Sequence, residues 1–119
     1  EGRAKILACC KAVADLCGFN DFGRVIISGF SQGAMMANDV GLHLPSRPRA
    51  IVSLSGIPLI VERWTEKARQ AKMKGLKVYV SHGRQDQLLP FQASVWLQGL
   101  HKNNGLDVTH RPHNGGHDI

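Results

Sequence analysis

Residues 24–34 read Arg-Val-Ile-Ile-Ser-Gly-Phe-Ser-Gln-Gly-Ala. Arg24 to Ser28 is a short β-branched run of the kind that forms a strand buried on both faces. Glycines at 29 and 33 then let the backbone turn sharply without a side-chain clash. A helix is predicted from Gln32 to about His43, ending where Pro45 and Pro48 forbid continuation. Strand, tight turn and helix are the context in which Gly29-Phe30-Ser31-Gln32-Gly33, a G-x-S-x-G pattern, projects a serine hydroxyl and turns the next backbone amide toward the same space. Ser31 is therefore the nucleophile candidate. The simpler alternative is a serine that caps its own helix.

Outward from this segment the chain alternates. Ala4 to Leu16 carries apolar residues near helical spacing before Gly18, and Asn20-Asp21-Phe22-Gly23 is turn chemistry. Ala50 to Ser55 reads as a second strand, Glu62 to Met73 as a polar helical stretch, and Leu76 to Val80 as a third strand. Phe91 to Lys102 gives another helix, with Val95, Leu97 and Leu100 as core candidates, and Leu106 to His110 a fourth, weaker strand. Strands joined by crossovers of this length run parallel. The fold class is α/β, a mostly parallel sheet, and right-handed crossovers are expected to place helices on both faces. With no internal repeat and no linker composition, residues 1–119 are read as one domain.

Composition narrows the function classes. The chain is 43% hydrophobic and 20% charged with a net charge of +6, enough apolar content for a core. Its longest apolar-rich stretch, Ala50 to Val61, is broken by Ser53, Ser55, Gly56 and Pro58, so no transmembrane segment is read. The basic run Arg63 to Lys74 contains Trp64 but no nucleic-acid motif, and a solvated helix face is expected there, not a nucleic-acid partner. Cys9, Cys10 and Cys17 form an odd set within one helical segment, which favours buried packing and a reducing, cytoplasmic location over a disulfide framework. No secretory signal is visible before the first helix.

In open parallel sheets, ligands bind beyond the carboxyl ends of the strands. A serine hydroxyl needs a base within hydrogen-bond reach and a group that orients the base. After the third strand, Ser81 to Pro90 places Asp86 at the same sheet end as Ser31, and Asp86 fits the orienting acid. After the fourth, His113-Asn114-Gly115-Gly116-His117 allows His117 to fold over the sheet, where it fits the general base. His82, four residues before Asp86, is expected to shape that loop. His43 and His101 are assigned solvated or capping roles. His110 and His113 could join His117 at a metal only without an acidic ligand at zinc-type spacing, so no metal is expected. Asp118 is given a turn or surface role.

The segments GFSQGA (29–34), LSGIP (54–58), HGRQDQLLP (82–90) and GGHDI (115–119) together resemble the phospholipase/carboxylesterase family, which includes the acyl-protein thioesterases. The resemblance spans most of the chain and implies a partial α/β-hydrolase fold, with Ser31, Asp86 and His117 as a triad, Gln32 as an oxyanion donor, and no cofactor. It implies hydrolysis of carboxylic esters, acyl thioesters or lysophospholipids, so small esters, lysophospholipids and acylated proteins are the expected substrates. Apolar residues near the strand ends, Ile57, Leu59, Leu88 and Leu89, are candidates to receive the acyl group. The alternatives are another esterase or peptidase of the same fold and a non-catalytic basic binding module on a hydrolase scaffold. The family's glycine-rich loop with the second oxyanion donor has no counterpart here, nor has its last helix. The chain is thus expected to be a domain truncated at both ends, with the Ser31 strand at a sheet edge. One missing oxyanion donor costs on the order of 10² to 10³ in rate, so weak activity at best is expected of the isolated chain.

Overall fold

The computed structural model describes residues 2–118. The elements alternate as α1 (Gly2–Leu16), β1 (Ile26–Phe30), α2 (Gln32–His43), β2 (Ala50–Leu54), α3 (Val61–Ala68), a 3₁₀ turn (Ala71–Met73), β3 (Lys77–Gly83), α4 (Phe91–Asn103) and β4 (Asp107–His113). The four strands form one parallel sheet in the order β1-β2-β3-β4. The α/β class and the alternation thus agree with the sequence reading, but several boundaries differ, β3 among them, which runs on from Val80 to Gly83. β1 runs on to Phe30, directly into the serine turn. The stretch 62–73 is not one helix: α3 ends at Ala68, and Gln70 takes an extended conformation before the 3₁₀ turn. β4 continues through Pro112 to His113, because β4 lies at the sheet edge, where a residue without an N–H can face outward.

The expected placement of helices on both sheet faces does not hold among the described residues. Ile27, Ile51, Val78 and Val108 share one face by register. They pack with Ala37 of α2, Trp64 and Ala68 of α3 and Leu97 of α4 in a single core. α1 packs against α2, burying Ala14 with Phe22 and Leu44 in a second cluster. The opposite face carries Ile26, Phe30 and Tyr79, exposed to 56%, 37% and 38%. The strand order is the cause. Each right-handed crossover steps in the same direction across the sheet, so each deposits its helix on the same side, and only a reversal of direction puts helices on the other.

α2 is tied to its neighbours by buried polar groups as well as by apolar packing. The fully buried Trp64 indole Nε1–H donates to Asp39 Oδ1 at 3.0 Å, and Arg3 approaches the same carboxylate at 3.4 Å. Trp64 is therefore a core residue and offers no face for stacking on a base, whatever the charge of the surrounding run. Trp64→Phe is expected to lower stability by about 2 kcal/mol through loss of a buried donor to a carboxylate, measurable by urea unfolding. An unchanged denaturation midpoint would show that the other groups at the carboxylate, Arg3 and His43, satisfy Asp39 without the indole.

Candidate active site

Ser31 stands between β1 and α2 with φ 59° and ψ −119°, one of two non-glycine residues with positive φ among those described. Its amide donates to Leu54 O at 2.8 Å, which holds the turn against the end of β2. A Cβ on Gly29 would collide with the Gly33 carbonyl, so the strained turn needs glycine at that position. The Ser31 side chain makes no capping bond to α2, which removes the simple helix-cap alternative. Instead Ser31 Oγ lies 2.7 Å from His117 Nε2. Gln32 is the first residue of α2, so its amide has no acceptor within the helix and is open to a ligand oxygen.

His117 Nδ1 lies 2.7 Å from Asp86 Oδ2. Serine, imidazole and carboxylate, from three separate segments, thus form one continuous hydrogen-bonded line. Asp86 is fixed from the other side too, because its Oδ1 accepts the backbone N–H groups of Leu88 at 2.9 Å and Leu89 at 2.8 Å. Burial works to raise the Asp86 pKa, but the Leu89 and Leu88 amides and the His117 imidazole outweigh it, and the carboxyl sits below its ordinary value. A carboxylate held charged beside Nδ1 keeps the proton there and leaves Nε2 free to accept one from Ser31.

Close backbone approach brings the acid and the histidine together. Arg84 N donates to His113 O at 2.8 Å and Gln85 N to Gly115 O at 3.0 Å, which carries the β3–β4 ladder on into the loops. A Cβ on Gly83 would collide with the carbonyls of Gly115 and Gly116, so Gly83 is what lets the two loops touch. Neither Gly115 nor Gly116 has positive φ. Two other contributors, Phe30 and Ser55, escaped the sequence reading, and a third, His82, is the residue the sequence expects to shape the Asp86 loop. The Phe30 ring lies 5.0 Å from the His117 ring, tilted by 41°. Buried Ser55, the second positive-φ residue at 57°, donates from Oγ to Asp118 O at 3.1 Å, next to His117. His82 is fully buried with Nε2 near Asp86. Only the adjacency of Phe30 to Ser31 and of Ser55 to the end of β2 could have hinted at these roles.

The remaining assignments divide. Ile57 lines a groove of about 1160 Å³ between α3 and α4 with Val61, Trp96 and Leu100, and neither Ser31 nor His117 is in its walls. Leu59 and Leu88 are exposed, and Leu89 is partly buried beside Asp86. The structure therefore does not gather these four into one pocket. His110 pairs with Ser94 Oγ at 3.2 Å and His113 Nδ1 accepts the Gly115 amide at 3.1 Å, so they diverge from His117. Among the described residues no group of three His, Cys, Asp or Glu side chains is placed to hold a metal.

Two expectations are corrected. His101 is neither solvated nor capping: it is fully buried on the core face of α4, with Ala93 and Leu97, and meets Asn38 Oδ1 at 2.8 Å. Cys9 and Cys17 are exposed and Cys10 only partly buried, all three as free thiols. α1 turns Leu7, Cys10 and Ala14 inward, and Cys9 falls off that stripe.

Comparison with known proteins places the chain in a family. The sequence pattern of the phospholipase/carboxylesterase family matches residues 18–119. Acyl-protein thioesterase 1 of Eremothecium gossypii is 36% identical over 82 residues, 69% of this chain and 33% of that protein. The crystal structure of esterase PE8 superimposes with a TM-score of 0.85 at 28% identity, over 96% of this chain and 51% of that one. The Bacillus cereus carboxylesterase superimposes with a TM-score of 0.78 at 21% identity, over 98% of this chain and 52% of that one, a likeness of fold. The chain thus spans about a third of the curated relative and about half of these two solved structures. The chain belongs to the phospholipase/carboxylesterase family.

Proposed function

We propose that the chain hydrolyses carboxylic esters or acyl thioesters through a covalent acyl-serine, with Ser31 as nucleophile, His117 as general base and Asp86 as its orienting acid. The observation that carries this reading is the unbroken line of two 2.7 Å contacts from Ser31 Oγ through His117 to Asp86 Oδ2. A free serine hydroxyl is a weak nucleophile near neutral pH, and an imidazole at this distance removes its proton as the oxygen attacks. The Gln32 amide stabilises the oxyanion that forms on the former carbonyl. His117 then gives the proton to the departing alcohol or thiol, and the acyl group remains on Ser31. Water attacks the acyl-serine with His117 again as base, and the carboxylic acid leaves. Every proton is accounted for by these groups, so the reaction calls for no cofactor.

Lysophospholipids, acylated proteins and small esters are the substrates this reading accommodates. Leu88 and Leu89, on the Asp86 loop, and Leu59, beyond β2, offer apolar surface to an acyl chain, while Ile57 lines the separate groove between α3 and α4. Free thiols at Cys9, Cys10 and Cys17 support a reducing, cytoplasmic setting. No helix among the described residues is long and apolar enough to cross a membrane. Incubation with a fluorophosphonate probe, with the adduct mapped by mass spectrometry, tests the proposal directly. Labelling is expected at Ser31 and lost in Ser31→Ala; a folded chain that stays unlabelled would overturn it.

A further inference from the structure

We propose that His82 is a positioning residue for Asp86, acting through the hydrogen on its Nε2. The inference rests on the hydrolase reading above and concerns a side chain that the Ser31–His117–Asp86 relay does not include.

His82 lies near the end of β3, its side chain fully buried. Its Nε2 is 2.8 Å from Leu89 O and 3.2 Å from Asp86 Oδ2. Both partners only accept, so the hydrogen of the imidazole is on Nε2; it is donated to Leu89 O, and Asp86 Oδ2 lies beside it as a close electrostatic neighbour. Nδ1 is buried and without a hydrogen-bond partner among the described residues, so nothing there competes for the tautomer.

The Asp86 carboxylate consequently meets donors on both oxygens. Oδ1 takes the amides of Leu88 and Leu89, and Oδ2 takes His117 Nδ1, with His82 Nε2 3.2 Å from the same oxygen. Of the two imidazoles beside Oδ2, His117 must exchange protons with Ser31 through its far nitrogen, while His82 is walled in by the fold. Its ring meets Phe91 edge-on at 6.2 Å, and Phe91 is stacked at 5.9 Å on His110, itself paired with Ser94. The immobile imidazole thus fixes the oxygen from which the mobile one takes its orientation.

His82 also acts on the loop. The turn after β3 is closed by Asp86 N to Gly83 O, a long bond of 3.3 Å, and the grip of His82 on Leu89 O closes it a second time. Loss of that grip frees Leu88 and Leu89, whose amides hold Oδ1. A displacement of about 1 Å in a group that orients the base costs on the order of 10²-fold in rate.

The spacing of side-chain nitrogens supplies the test. The amide nitrogen of glutamine reaches about as far from Cα as Nε2 of histidine, whereas that of asparagine reaches only as far as Nδ1. His82→Gln is therefore expected to retain most of the wild-type kcat. His82→Asn and His82→Leu are expected to lower kcat on an activated ester by on the order of 10²-fold with KM nearly unchanged. The low-field proton NMR signal of His117 Nδ1–H should persist in His82→Gln and shift or vanish in the other two, with thermal unfolding recorded for each. Equal kcat and an unmoved signal in the Asn and Gln variants would reduce His82 to packing and overturn the proposal. If the signal responds to His82 while the wild-type chain neither labels at Ser31 nor turns over ester, the hydrolase reading fails and the positioning of Asp86 stands.

Discussion

Asp86→Asn is expected to lower kcat for an activated ester by on the order of 10⁴, with the fold intact. The size of the effect comes from a forced orientation. Asp86 Oδ1 accepts two backbone N–H groups, from Leu88 and Leu89, and only an oxygen can fill that place. An asparagine here must turn its carbonyl to those amides and its NH₂ to His117. His117 Nδ1, 2.7 Å away, then becomes an acceptor, and the ring proton moves to Nε2. A protonated Nε2 in neutral imidazole cannot take the proton of Ser31. The same NH₂ confronts the Nε2–H of His82 at 3.2 Å, a second conflict that the carboxylate avoids. Steady-state kinetics alongside circular dichroism checks this, and a loss smaller than tenfold in a folded variant would remove Asp86 from the relay.

The second large effect is on stability. Burial lowers the pKa of His101 from 6.5 to about 4, because the charged imidazolium loses its hydration inside the core. Its Nε2–H donates to Asn38 Oδ1, and the Asn38 amide group donates to Ala34 O at 2.8 Å and Ser53 Oγ at 3.0 Å. The folded-state pKa lies below the unfolded one, so between these values the unfolded chain binds more protons. Stability therefore falls as pH drops from 6.5 toward about 4, by about 3 kcal/mol in total from this residue. Asp86 acts in a lower window: its depressed pKa contributes stability above the ordinary aspartate value, lost as pH falls through the folded one. His101→Gln keeps a donor toward Asn38 without a titrating ring, so its denaturation midpoint should decline less between pH 6.5 and 4. Parallel decline in both proteins would place the acid sensitivity elsewhere.

The alternation of strands and helices was legible because it is written in local chemistry. β-branched runs, glycine turns and Pro45 and Pro48 act on the residues beside them, and the observed α2 runs from Gln32 to His43 as the sequence predicts. Boundaries that depend on neighbours were less legible. The fourth strand, expected to end at His110, runs on through Pro112 to His113, because an edge strand needs no donor on its outer side. Cys9 and Cys17 read as core thiols because helical spacing alone does not say which stripe of α1 meets α2. His101 reads as polar and exposed until Asn38, 63 residues away, supplies its partner.

The candidate site divides along the same line. By itself the sequence determined the parallel α/β alternation, the serine turn at 29–33, and the placement of Asp86 and His117 after later strands, because each depends on residue types within a few positions. Tertiary structure alone decided that Ser31, His117 and Asp86 fall within 2.7 Å of one another in turn, that Gly83 admits the His117 loop, and that His82 and Ser55 grip its surroundings. It also decided that the helices share one face of the sheet. The reason is physical: hydrogen bonds across 31 and 86 residues exist only once the strand order and register are set, and those depend on burial of the whole sheet.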